Sequence, residues 1–153
     1  MQTLDQLIAE SPVFARLAPA QLQLIAGCAR NERIEAGHYL LREGQPADRF
    51  FLIRNGAVAL EVQAPGRGAI VIETLHPGDV VGWSWLFHPY RWQLDGRARE
   101  PSALVAFDGA CLRGKCDADH ELGYQLMTRF AANLVQRLQA TRLQLLDVYG
   151  HAG

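Results

Sequence analysis

The stretch LHPGDVVGWSWL, residues 75–86, holds the residue types best placed to do chemistry in this chain. Pro77 presets φ at the second position of a turn, and Gly78 supplies the positive φ that a type II turn needs next. Asp79 is then free to bond local backbone, and Val80 and Val81 fit a short buried strand. Gly82 lets the backbone approach another group closely, and Trp83-Ser84-Trp85-Leu86 is expected to open a one-turn helix with its free amides facing outward. Such an opening is a ready anion site, because unsatisfied N–H groups and the peptide dipoles both favour negative charge. The alternative is an ordinary tight turn capping a sheet. Trp83 and Trp85, with Phe87, Tyr90 and Trp92 close by, concentrate aromatic area here, either to stack on a planar ligand or to fill the space as core.

Other reactive residue types are scattered. His38, Glu43, His76 and His88 lie on separate segments, and Gly37-His38-Tyr39-Leu40 offers one histidine where a metal pair would normally share a strand face. Cys111 and Cys116 have no second pair beside them, whereas a zinc or iron–sulfur site needs about four ligands. Cys28 falls within a helical apolar period and reads as a small buried hydrophobe. Three cysteines in 153 residues make no disulfide framework, so reduced thiols are expected. No Ser–His–Asp or Cys–His arrangement follows from spacing, and the chain reads as non-enzymatic, with no metal or cofactor.

The elements that position these residues follow from periodicity. Over residues 1–30, Leu4, Leu7 and Ile8 recur at helical spacing until Ser11-Pro12 interrupts them. From Pro19, the residues Leu22, Ile25, Ala26 and Ala29 mark a second amphipathic helix ending near Cys28 to Arg30. Over 31–108 the period becomes alternating, with short runs at 33–35, 39–42, 49–54, 57–63, 69–75, 80–81, 92–99 and 103–107. Turns between them hold Gly37, Gly44, Asn55-Gly56, Pro65-Gly66-Arg67-Gly68, Pro77-Gly78 and Gly96. Asn55-Gly56 carries the strongest hairpin signal, since both residues accept positive φ in a type I′ turn. Eight short strands close most naturally as an eight-stranded double-stranded β-helix, or jelly roll, which limits exposed edges.

Over 109–149 the pattern is helical. Leu122, Leu126, Phe130, Leu134, Leu138, Leu145 and Tyr149 form one long stripe. A helix of about 30 residues spans ~45 Å, longer than such a roll needs as cover. Part of its apolar face is therefore expected to meet a second copy in a homodimer. The chain reads as a single domain over 1–153, mainly β with flanking helices.

Composition excludes several classes. A net charge of −1 lacks the basic excess that neutralises phosphates along a duplex. No apolar run approaches the roughly 18 residues of a membrane span, and the start MQTLDQLIAE is acidic where a secretory signal would be basic. A soluble, cytoplasmic protein is expected.

This order of elements resembles the cyclic-nucleotide-binding domain of the catabolite activator and fumarate–nitrate regulator superfamily. SPVFARLAPAQLQLIAGCA is similar to the family's N-terminal helical segment, and AGHYLLREGQPADRFFLIRNGAVAL to its early strands. LHPGDVVG corresponds to the strand leading into the phosphate-binding cassette. The resemblance implies a small effector in a β-roll pocket, a cyclic nucleotide or another anionic or planar ligand, touched by Gly82, Trp83, Ser84, Trp85, Arg91, Trp92 and Thr141.

Two departures stand out. Trp83 occupies the place of a glutamate that accepts the ribose 2′-hydroxyl, and an indole N–H donates but does not accept. The family's phosphate arginine has a small polar neighbour; Arg91-Trp92-Gln93 is the nearest match, with Arg97 and Arg99 as alternatives. On the long helix, RLQAT at 137–141 resembles the segment in which a threonine reaches the purine, which places Thr141 there. The serine expected next is Arg142.

The superfamily's helix-turn-helix does not follow before Gly153, so a free-standing regulator acting on a partner protein is expected, without direct DNA binding. The competing readings are a cupin-like metal-dependent enzyme, which lacks the required H-x-H pair, and a degenerate roll that binds partners but no ligand.

Overall fold

The computed structural model describes residues 2–152. It opens with α1 (Leu4–Ala9), a 3-10 turn (Pro12–Phe14) and α2 (Pro19–Ala26). Eight strands follow among these residues: β1 (Ala29–Ile34), β2 (Tyr39–Leu41), β3 (Arg49–Asn55), β4 (Val58–Ala64), β5 (Gly68–Leu75), β6 (Val80–Val81), β7 (Asp95–Ala98) and β8 (Ser102–Asp108). A second 3-10 turn (Ser84–Leu86) sits between β6 and β7, and α3 (Gly109–Ala118) and α4 (His120–Ala152) end the chain. The strands form two antiparallel sheets, in the orders β1-β8-β3-β6 and β2-β7-β4-β5. The fold is the expected mainly-β jelly roll with flanking helices.

Strand β3 shows how the layers arise. Phe50, Phe51, Leu52 and Ile53 are all buried, because successive side chains point to opposite faces and both faces are covered. Phe51 and Ile53 point between the sheets, with Leu41, Val58, Leu60, Leu75 and Leu104. Phe50 and Leu52 point the other way, toward the helices, with Phe14, Ile25, Val105, Phe107, Leu112 and Phe130. A run buried on both faces reads as continuously apolar, and its sheet therefore carries a helical layer.

Three local expectations are corrected. Helix α2 ends at Ala26, earlier than expected, because β1 already pairs from Ala29 with Phe107 of β8. Asn55-Gly56 is not a type I′ hairpin. Gly56 has φ +98°, but Asn55 is not among the positive-φ residues, and β3 and β4 belong to different sheets. The glycine is required by close approach, since a Cβ there would lie 2.1 Å from Ser102 Oγ. Finally, Cys28 and Cys111 are joined in a disulfide rather than held as separate thiols, because the roll brings the end of α2 and the first turn of α3 to a Cα separation of 5.8 Å. Cys116 is free.

Helix α4 divides into two halves. Leu122, Leu126 and Phe130 are buried against the roll, whereas Leu138, Leu143, Leu145, Leu146 and Tyr149 are exposed. No helix among the described residues is long and apolar enough to cross a membrane.

Candidate functional site

The turn before β6 is built as the sequence suggests. Gly78 has φ +94°, the Asp79 carboxylate accepts from His76 N–H at 2.9 Å, and Gly78 N–H donates to Ile53 O at 2.9 Å. The Ser11 hydroxyl donates to Gly78 O at 3.0 Å, fixing the turn to the N-terminal segment. β6 then pairs with β3 through Val80 and Val81.

Gly82 has φ +95°, a conformation that side-chain-bearing residues rarely adopt. Its absent side chain is the room taken by Trp92, since a Cβ would lie 2.6 Å from that indole ring. Trp83 and Trp85 then diverge. Trp83 is half-buried and faces a cavity of about 380 Å³ shared with Leu60, Glu73, Gly82, Ser84, Trp92 and Arg137. Trp85 is fully buried on the other side, stacked on Phe50 at 4.4 Å between ring centroids. The Ser84–Leu86 turn is a single 3-10 turn closed by Leu86 N–H to Trp83 O at 2.9 Å, too short to sum the peptide dipoles that the anion reading invoked.

The positive charge at the cavity comes from elsewhere. Arg137 on α4 grips the Glu73 carboxylate of β5 with two nitrogens, Nε lying 3.0 and 3.2 Å from its two oxygens. The guanidinium lies 4.3 Å from the Trp83 ring centroid, a cation–π contact, and its Nη1 is buried with no hydrogen-bond partner among the described residues. The cavity is thus closed on one side by a charge pair, with one donor unspent.

Of the residues expected at the ligand, Gly82, Trp83, Ser84 and Trp92 line this cavity. Trp85, Arg91 and Thr141 do not. Trp85 is core, because β-branched and aromatic neighbours on β3 and β8 leave an apolar slot for it. Arg91 is exposed and donates to Gly44 O at 3.0 Å, tying its loop to the β2–β3 connection. Thr141 lies one turn beyond Arg137 on the exposed half of α4, its hydroxyl bonded back to Arg137 O at 3.0 Å.

Of the alternative arginines, Arg97 is committed to the buried carboxylate of Glu61 at 2.7 Å, which holds its guanidinium above the ordinary range first by that hydrogen bond and then by charge. Arg99 is exposed. Glu73 and Arg137 were missed by sequence reasoning. The resemblance of RLQAT points to its threonine, yet the residue that reaches the cavity is its arginine.

The ligands that a cupin-like enzyme would need do not converge. His38 lies beside Glu35, and among the described residues no three His, Cys, Asp or Glu side chains come together as a metal site.

A family model for the cyclic nucleotide-binding domain matches residues 31–119, more than half of the chain. The chain belongs to the cyclic nucleotide-binding domain family. A solved protein of Geobacter metallireducens superposes on this cyclic nucleotide-binding domain with TM-score 0.80 at 29% identity, covering 90% of this chain and 99% of that one. A cyclic nucleotide-binding domain from Methylobacillus flagellatus superposes with TM-score 0.79 at 17% identity over 94% of this chain and 80% of its own, a likeness of fold.

Among curated relatives, the CRP-like cAMP-activated global transcriptional regulator of Mycobacterium tuberculosis is 23% identical over 95% of this chain and 63% of its own length. A cAMP-dependent protein kinase regulatory subunit of Schizosaccharomyces pombe is 31% identical over 68% of this chain and 24% of its own. The chain spans less than two thirds of the length of these relatives.

Proposed function

We propose that this domain is a non-enzymatic regulatory module that takes a small effector in the Gly82–Trp83 cavity and reports its presence through α4. One observation carries the reading. Arg137, on the cavity wall, belongs to the long helix, so an occupant that reaches it joins or breaks its pair with Glu73. An effector that binds the two arrangements differently shifts α4 by that difference in affinity.

An anionic or planar effector suits the cavity. Arg137 is a guanidinium on the cavity wall whose buried Nη1 has no partner among the described residues, so an anion gains that donor only by opening the pair with Glu73, and the Trp83 ring offers a flat apolar face. Cyclic AMP and cyclic GMP are expected to bind weakly. With Trp83 in place of the family's ribose-binding glutamate, a charge-assisted hydrogen bond of about 1.5–3 kcal/mol is lost, roughly one to two decades of affinity. Among the described residues Glu73 is the one carboxylate on the cavity wall, and Arg137 holds it.

Calorimetry with both nucleotides on the wild type and on Arg137→Ala tests this. Weak binding is expected in the wild type, and loss of any phosphate-dependent binding in Arg137→Ala. Submicromolar wild-type binding that Arg137→Ala leaves unchanged would overturn the assignment of Arg137.

The exposed half of α4 supports a homodimer as the output. Val135, Leu138, Leu145 and Leu146 are each at least half exposed on one helix, and a contiguous apolar strip of this kind is covered in a stable assembly. A cytoplasmic location and a partner protein are the corresponding expectations for a module with this output.

A further inference from the structure

Helix α3 is a strut between two parts of the molecule. At its start, Cys111 is bonded to Cys28 at the α2–β1 corner, Asp108 N–H donates to Cys28 O at 2.8 Å, and the Asp108 carboxylate accepts from Cys111 N–H at 2.9 Å. Lys115 Nζ donates to Leu24 O at 2.6 Å, a second tie to α2. On its other side Arg113 donates to Trp85 O, in the turn behind the effector cavity, and lies 4.2 Å from the Tyr90 ring centroid. The disulfide is the covalent member of this set. Both its cysteines line a surface groove of about 580 Å³ that also presents Arg30, Arg49, Asp48 and Asp108.

We propose that Cys28 and Cys111 are an exchange site for low-molecular-weight thiols, and that their bond fixes α3 between α2 and the Ser84–Leu86 turn. The groove gives a small thiol access, and because Arg30 and Arg49 are both paired with Glu32 and share the wall with Asp48 and Asp108, it sets no charge requirement on that thiol, so glutathione serves as the probe. Cys28 is buried and Cys111 half-buried, so attack falls on Cys111 Sγ.

The incoming thiolate forms a mixed disulfide with Cys111, and Cys28 leaves as a thiolate and takes a proton. A second thiolate attacks the sulfur of the added thiol, releasing Cys111 as a thiolate that is protonated in turn. The protein gains two electrons and two protons, and two thiols become one small-molecule disulfide. The reverse reaction uses that disulfide as oxidant. Cys116 stays out of the exchange, because burial and then the Asp117 and Asp119 carboxylates push its thiol up and keep it protonated. The exchange and the tether stand on the structure alone; only an effect on the effector rests on the function proposed above.

The test uses the full chain equilibrated in glutathione buffers, with no effector present. Alkylation in denaturant followed by mass measurement is expected to find one free thiol, Cys116, after equilibration in disulfide-rich buffer. Two more should appear together as the buffer becomes reducing. Amide exchange over residues 109–118 is expected to quicken by about tenfold on reduction. Cys111→Ser and Cys28→Ala should show the fast rate in both buffers, while Cys116→Ser keeps the redox response.

Three free thiols after the oxidising buffer, or a mapped disulfide to Cys116, would overturn the pairing. Unchanged exchange in α3 on reduction of the wild type would overturn the tether, and this arm needs no variant to fold. Because neither readout contains a nucleotide, failure here and failure of the effector reading are separable.

Discussion

At the scale of single residues, the site is decided by which way neighbouring side chains point. Trp83 and Trp85 are two apart across a tight 3-10 turn, and one meets the cavity while the other enters the core. Just before them, Gly82 leaves its side-chain space to Trp92. Gly82→Ala combines a positive φ with a Cβ 2.6 Å from a rigid indole, so the ring or the strand must move. A loss of about 2–4 kcal/mol is expected by chemical denaturation, with the Trp92 fluorescence altered. A neutral Gly82→Ala would show that the Trp92 ring yields freely. The site's charge was harder to read, because Arg137 and Glu73 are 64 residues apart and nothing in either local sequence marks them as a pair.

At the scale of elements, an aromatic column joins the turn to both neighbouring layers. Trp85, Phe50 and Phe107 stack at 4.4 Å between centroids, Phe14 continues the stack at 5.5 Å, and Phe130 of α4 meets Trp85 edge-on at 5.7 Å. Each such contact adds roughly 0.5–1.5 kcal/mol beyond its buried area. The turn is therefore anchored to the same helix that carries Arg137, two turns before it. Trp85→Ala is expected to cost about 3–5 kcal/mol, measured as the shift in denaturation midpoint. Trp85→Phe should cost much less. It keeps a ring in the stack and removes an indole N–H that is buried without a hydrogen-bond partner among the described residues. Equal losses in the two variants would show that the indole's full area, not its place in the stack, is what the turn requires.

At the scale of the whole molecule, the two halves of α4 have different environments and should respond differently. Leu138 and Leu145 are 50% and 53% exposed, so Leu138→Asp with Leu145→Asp is expected to leave the thermal stability of the monomer nearly unchanged while dissociating a dimer. Light scattering and sedimentation check this, and a wild type that is monomeric at micromolar concentration would remove the dimer from the proposed function.

The sequence by itself determined the strand count, the jelly roll and the helix boundaries to within a few residues, because alternation, glycine turns and helical stripes are local signals that burial imposes on each segment, and the family followed from the resemblance of its motifs in order. It also marked Gly82 and Trp83 as candidate site residues, which line the cavity beside Arg137, since a glycine at a strand end before an aromatic turn is a local pattern too. Only the tertiary structure decided that Asn55-Gly56 crosses between sheets, that Trp85 is core, that Arg137 rather than Arg91 or Thr141 reaches the cavity, and that Cys28 meets Cys111 across 83 residues. Each of these depends on how distant segments approach one another once the sheets close and α4 packs, and that geometry is set by the whole core rather than by any window of the chain.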